Sequence, residues 1–197
     1  MVGPNVSAPL TADSLLGGRY RLVRPLASGG MASVWEGHDE VLSRSVAVKM
    51  LHPHLAGDHV FQERFRREAV AAARLSHPNI VATFDAGTAT NGTAYIVMEL
   101  VRGTTLRHLL AQRGQLPAGL AVGIAIQIAD ALRHADGAGL VHRDIKPANV
   151  LLCDGDSGVV PRVKVTDFGI AKAAVGLGLD LTRTGILLGT PKYLSPE

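Results

Sequence analysis

Eight residues, His142-Arg143-Asp144-Ile145-Lys146-Pro147-Ala148-Asn149, place five informative polar positions between a long helical pattern and a short apolar strand. Loops rarely concentrate an imidazole, a carboxylate, two cations and an amide in one octapeptide without a use for them. The elements on either side follow from the same reading. Upstream, residues 117–135 carry a long helical pattern that stops at Gly137 and Gly139. Downstream, short strands at 150–153 and 162–166 flank a Gly/Asp-rich turn.

The first half of the chain reads differently. Residues 20–26, 33–38 and 45–51 mix β-branched and aromatic residues, separated by glycine and by a polar turn at 39–44, which predicts three hairpin-connected strands. Residues 61–75 have apolar side chains at 61, 65, 69, 72 and 75, the spacing of a helix, and stop at Ser76-His77-Pro78. Two further strands are predicted at 80–84 and 94–100, around the Asn91-Gly92 turn. The fold class is therefore α+β: a five-stranded antiparallel sheet with one helix over 19–100, then a mainly helical region over 101–197. A short helix is predicted at 104–112 with an N-cap threonine, residues 176–189 read as a loop, and residues 1–18 as a flexible leader.

Composition narrows the function classes. Of 197 residues 47% are hydrophobic and 19% charged, enough to bury a core. A net charge of +3 with scattered basic residues gives no reason to expect nucleic acid or a membrane surface as partner. One cysteine, Cys153, excludes an internal disulfide and points to a reducing cytoplasm. Residues 1–18 lack the pattern of a signal peptide. Residues 116–132 are apolar but interrupted by Gln127 and Asp130, which predicts a buried helix and not a membrane span.

Four segments carry chemistry. Ala27-Ser28-Gly29-Gly30-Met31-Ala32-Ser33-Val34 joins two predicted strands, and its small residues let backbone N–H groups approach a phosphate; a plain hairpin turn is the competing reading. Val46-Ala47-Val48-Lys49 puts a lysine at the end of an apolar strand, where a buried ammonium needs an anion. Glu68 on the following helix can supply one, against the simpler alternatives of a snorkelling lysine and a solvated glutamate. In the octapeptide, Asp144, Lys146 and Asn149 are the carboxylate, cation and oxygen ligand that phosphoryl transfer requires. A purely structural loop leaves Lys146 unexplained. Asp167-Phe168-Gly169 then ends a strand with a carboxylate suited to a divalent cation.

Taken in order, with Gly189-Thr190-Pro191-Lys192-Tyr193-Leu194-Ser195-Pro196-Glu197 at the end, these segments resemble the signature set of the Hanks-type Ser/Thr protein kinases, particularly the bacterial ones, from about Tyr20 onward. The resemblance implies a two-lobe fold, ATP and Mg2+ as cofactors, and protein substrates, with autophosphorylation among the possible outcomes. It implies that Asp144 is the catalytic base, with Lys146 beside it as a Ser/Thr-type feature, and that Lys49 holds the α- and β-phosphates and pairs with Glu68. Residues 27–32 (Ala27, Ser28, Gly29, Gly30, Met31 and Ala32) would cover the phosphates. Leu26, Val34, Ala47 and Leu151 would sandwich adenine, with Glu99 to Val101 as the hinge and Met98 behind it. Asn149 and Asp167 would hold magnesium. Thr182 and Thr184 sit where relatives are phosphorylated, and Arg143 would engage a phosphate there.

Two departures qualify the match. Ala27 and Ala32 stand where the usual loop has glycine, which predicts a stiffer loop. The chain ends at Ser195-Pro196-Glu197 where the family continues into more helices, so the resemblance implies a C-terminally truncated kinase with an incomplete second lobe, cytoplasmic unless a longer form is membrane-anchored. The alternatives at this point are a non-catalytic nucleotide-binding or regulatory fragment, and a small-molecule phosphotransferase of related fold.

Overall fold

A computed structural model describes residues 10–168 apart from Gly57 and residues 156–159; the side chains of Arg64 and Glu68 also lie outside the description. The chain divides into two compact units, one from Met1–Ala73 and Thr83–Leu100, the other from Arg74–Ala82 and Val101–Glu197. Residues 74–82, expected in the first region, thus belong to the second.

The first unit is an antiparallel sheet with one helix. Its strands are β1 (Leu15–Leu16), β2 (Tyr20–Ser28), β3 (Ala32–Asp39), β4 (Arg44–Leu51), β5 (Thr83–Thr88) and β6 (Ala94–Glu99), in the order β1-β2-β3-β4-β6-β5, with α1 (His59–Ala72) between β4 and β5. Alternation along β4 explains the layering. Val46, Val48 and Met50 join Leu16, Tyr20, Leu22, Tyr95 and Val97 in one core, whereas Leu51 joins Phe65, Ala69 and Ile96 in another, which places α1 on the second face. Val46, Val48 and Val97 are 0% exposed. Each contributes about 1.5–3 kcal/mol by burial. Pro25 cannot donate to the ladder, and the β2–β3 register shifts between Leu22 and Arg24 and again between Pro25 and Ala27.

Two expectations are corrected here. The sheet has six strands because Leu15 and Leu16, assigned to the leader, pair with Arg21 and Tyr20, and Leu16 is 1% exposed. The strand expected at 80–84 is β5 at 83–88. Ile80 packs in the core of the second unit and bridges to Val165, whose carbonyl accepts from the Val81 N–H at 3.0 Å.

In the second unit α2 (Leu106–Arg113) and α3 (Ala118–Gly137) accompany a three-stranded sheet, β7 (Gly103–Thr105), β8 (Val150–Cys153) and β9 (Val163–Val165), in the order β7-β8-β9. The strand β7 was not anticipated, because Thr105 serves twice: it pairs with Leu151 and its hydroxyl caps α2 by accepting from the His108 N–H. Gly103 has φ +148°, and a Cβ there would lie 1.9 Å from the Leu152 carbonyl, so only glycine fits. The helix α3 buries Ile124, Ala131 and Ala135 but exposes Val122 and Ile126, so it is buried along one face only. Among the described residues, no helix is long and apolar enough to cross a membrane.

Candidate active site

In the first unit, strand register places the candidate residues. Lys49 on β4 lies opposite Val34 of β3 and Ile96 of β6, and Val34 lies opposite Ala27 of β2. Ala47, two residues before Lys49, therefore shares its face, beside Met98. Lys49 alternates with Leu51 onto the α1 face of the sheet and is 8% exposed, and a buried ammonium needs compensation for its desolvation. The helix starts where the Asp58 carboxylate accepts from the Val60 and Phe61 N–H groups at 2.8 and 3.3 Å. Glu68 sits on α1 next to the inward-facing Ala69, and its side chain lies outside the described residues. Leu26 is exposed on β2, Glu99 ends β6, and Val101 opens the second unit.

The loop from Ala27 to Val34 runs from the end of β2 into β3. Neither Ala27 nor Ala32 has a positive φ, so the two departures from glycine carry no left-handed strain. Among the described residues nothing demands glycine at the tip either: a Cβ on Gly30 meets no atom within 4 Å, and one on Gly29 meets only the Ala32 carbonyl at 3.7 Å. The space over these two residues is room that a side chain would fill and a ligand can use.

In the second unit, side-chain hydrogen bonds do the placing. His142 is 3% exposed. Its Nδ1 accepts from the Asp144 N–H at 3.3 Å and its Nε2 donates to the Thr166 carbonyl at 3.0 Å, a pattern that assigns the neutral Nε2–H tautomer. The ring lies 4.6 Å from that of Phe168, centroid to centroid. Burial pushes its pKa down, against the Thr166 carbonyl and the charges of Asp167 and Asp144, which push up.

Asp144 is held through one oxygen. Lys146 Nζ lies 2.7 Å from Oδ2, and Asn149 Nδ2 donates to Oδ2 at 3.3 Å and to the Asp144 carbonyl at 3.0 Å. Among the described residues no donor reaches Oδ1. Asn149, 6% exposed, closes a single 3-10 turn, Pro147–Asn149, whose proline fixes the entry. Its carbonyl accepts from the Thr166 N–H at 3.0 Å. Both backbone groups of Thr166 are thus bound to the octapeptide, and the next residue is Asp167. Arg143 and Asp167 both have φ +63°, backbone strain of about 1–3 kcal/mol each that the surrounding bonds hold in place.

The oxygen chemistry fits magnesium. The Asn149 amide spends its nitrogen on Asp144 and so turns its oxygen away from that group, and Asp167 adds a carboxylate directly after the stitched Thr166. Among the described residues, no three His, Cys, Asp or Glu side chains gather into a metal cage. Two protein oxygens completed by phosphate is the arrangement magnesium commonly takes. Leu151 follows on β8, half-buried. Thr182, Thr184, Gly169 and the closing segment 189–197 lie outside the described residues. The roles of His142 and Thr166 in placing Asp144 and Asp167 were not read from the sequence, although His142 stood inside the octapeptide as the signal.

The protein kinase domain model matches residues 20–197. A probable serine/threonine-protein kinase of Streptomyces coelicolor is 49% identical over 92% of this chain and 27% of its own length. The serine/threonine-protein kinase PknA of Mycobacterium tuberculosis is 46% identical over 92% of this chain and 42% of its own. The chain therefore spans about a quarter to under half of these relatives. The crystal structure of the Mycobacterium tuberculosis PknI kinase domain superposes with a TM-score of 0.71 at 37% identity, over 83% of this chain and 64% of that one. The chain belongs to the protein kinase domain family, on its bacterial serine/threonine branch.

Proposed function

We propose that the chain is the catalytic domain of an ATP-dependent serine/threonine protein kinase, which transfers the γ-phosphate of ATP to hydroxyls on protein substrates and on itself. The observation that carries this reading is the Asp144 carboxylate, pinned at Oδ2 by Lys146 and Asn149, with Oδ1 reached by no donor among the described residues and so open to accept a proton. Asp144 takes the proton of the attacking hydroxyl. Lys146 holds Asp144 in place and adds positive charge beside the transferred group. Asn149 and Asp167 would hold Mg2+, which when bound neutralises charge on the β- and γ-phosphates.

In the first unit, Lys49 engages the α- and β-phosphates with Glu68 as its partner, and the N–H groups at the tip of the loop over residues 27–32 cover them. Leu26, Val34, Ala47 and Leu151 pack on adenine, and the backbone of 99–101 bonds its edge. Thr182 and Thr184 are the candidate phosphosites, read by Arg143. The single cysteine supports a cytoplasmic setting.

The test is transfer of labelled phosphate from ATP to a generic protein substrate and to the chain itself, for wild type and Asp144→Asn. Signal from the wild type alone supports the assignment. Equal signal from both overturns it.

A further inference from the structure

His52 lies outside every segment assigned above, yet it is bonded to both sides of the glycine loop's tip. It follows β4 directly, three residues after Lys49. Because Ala32 pairs with Leu51, the His52 N–H continues the β3–β4 ladder by one rung and donates to the Met31 carbonyl at 2.9 Å. The ring then reaches across the turn: Nε2 lies 2.8 Å from the Gly29 carbonyl. An oxygen acceptor fixes the ring nitrogen as the donor, so Nε2 carries the proton.

The local backbone explains why the ring can do this. His52 is the residue before a single 3-10 turn, Pro53–Leu55, with Pro53 at its first position and the Leu55 N–H bonded to the His52 carbonyl at 2.9 Å. The His54 ring stacks beside that of His52, centroids 5.6 Å apart and planes 18° from parallel. Backbone and ring of His52 are both held before any ligand arrives.

The loop tip closes on itself through the Gly29 N–H and the Ala32 carbonyl at 2.9 Å. With Gly29 engaged through both backbone groups and Met31 through its carbonyl, the N–H groups of Gly30 and Met31 are the tip donors that take no partner among the described residues. We infer that His52 is a positioning residue for nucleotide phosphates. It clamps the Gly29 carbonyl, so the tip keeps one conformation with the Gly30 and Met31 N–H groups available to an anion, and it ties that tip to the strand that carries Lys49. A clamp of this kind lowers the ordering cost of binding. It also offsets the looseness of a tip with two adjacent glycines.

This inference rests on the reading of the chain as an ATP-binding domain, and the experiment separates the two. MgATP and adenosine are titrated against the full chain as wild type, His52→Ala, His52→Gln and His52→Asn, with melting temperatures recorded in parallel. Loss of one hydrogen bond typically weakens an equilibrium by about two- to tenfold. His52→Ala should therefore bind MgATP about fivefold more weakly and adenosine as well as wild type. Glutamine places an amide nitrogen near the Nε2 position and asparagine does not, so His52→Gln should come back to within about twofold and His52→Asn should resemble alanine. Unchanged MgATP affinity in His52→Ala overturns the clamp, as does an equal loss for MgATP and adenosine, or failure of glutamine to rescue a folded variant. A folded wild type that binds no MgATP overturns the ATP-binding reading itself, and the clamp with it.

Discussion

The two units place their chemistry by different means. In the first, Lys49, Val34, Ala27 and Ala47 are set by the register of β2, β3, β4 and β6, a ladder of backbone bonds that does not depend on the identity of any single side chain. In the second, Asp144, Asn149 and Asp167 lie on irregular backbone, with two left-handed residues, and are held by bonds from His142, Lys146 and Asn149 side chains. A ladder tolerates the loss of one side chain, whereas a stitched loop does not. Stability and geometry should therefore come apart in the first unit and fail together in the second wherever a stitching bond is lost.

The largest effect tests the stitched loop at its centre. Asp144→Asn keeps an oxygen for Lys146 and removes the base, so phosphate transfer should fall by about 10²–10⁴-fold, the range expected for a lost proton acceptor. The melting temperature should stay near that of wild type. A variant that melts far below wild type would show the carboxylate to be structural first.

Next comes a residue outside the octapeptide. Gln127 on α3 accepts from Asn79 Nδ2 at 2.9 Å and from the Val163 N–H at 2.8 Å, and donates to the Pro161 carbonyl at 3.0 Å. It thus fixes the entry to β9, the strand that delivers Thr166 and Asp167. Gln127→Ala strands buried polar groups and should cost about 2–3 kcal/mol. Because β9 is displaced with it, activity measured well below the melting temperature should fall too. The matched change in the first unit is Val48→Ala, at a site with 0% exposure between Trp35 and Val97. Two lost methyl groups and a partly collapsed cavity should cost about 2 kcal/mol. The ATP affinity should move less than twofold, since Lys49 keeps its rung. Loss of affinity without unfolding would mean that core packing, and not register, sets the lysine.

The same contrast explains what could be read from the sequence. Ladder elements were legible because alternation is local: the observed bounds of β2, β3 and β4 lie within about two residues of the predicted ones. Asp144, Lys146 and Asn149 were legible as a group because they fall within six residues, so their contacts are local as well. What escaped was tertiary. Leu15–Leu16 is too short for any periodicity, and Ile80 carries the apolar character of a strand but spends it on the core of the second unit. Thr166 has no chemical signal of its own, since it acts through its backbone. The Lys49–Glu68 pairing and the two threonines fall on side chains or residues outside the description.

The smallest expected effect asks whether His142 is held neutral, as the stitched loop requires. Desolvation lowers its pKa, against the Thr166 carbonyl and the charges of Asp167 and Asp144, which raise it. The sign is nevertheless fixed. Below the ordinary imidazole pKa of about 6.5 the unfolded chain binds a proton that the folded chain refuses, so stability rises with pH through that window. The contribution is complete above pH 6.5 and is lost as pH falls toward the depressed folded-state value. The Asp130 carboxyl, held low first by Arg133 and also by His77, loses its contribution only below the ordinary carboxylate range, so the two windows do not overlap. Melting temperature recorded between pH 5 and 8 should fall on the acid side for wild type. In His142→Gln, which starts lower, the fall should be shallower, and the difference between the two curves isolates His142 from the remaining histidines. Parallel curves would mean that His142 accepts its proton in the folded state, and that Asp144 keeps its place without a neutral imidazole to receive its N–H.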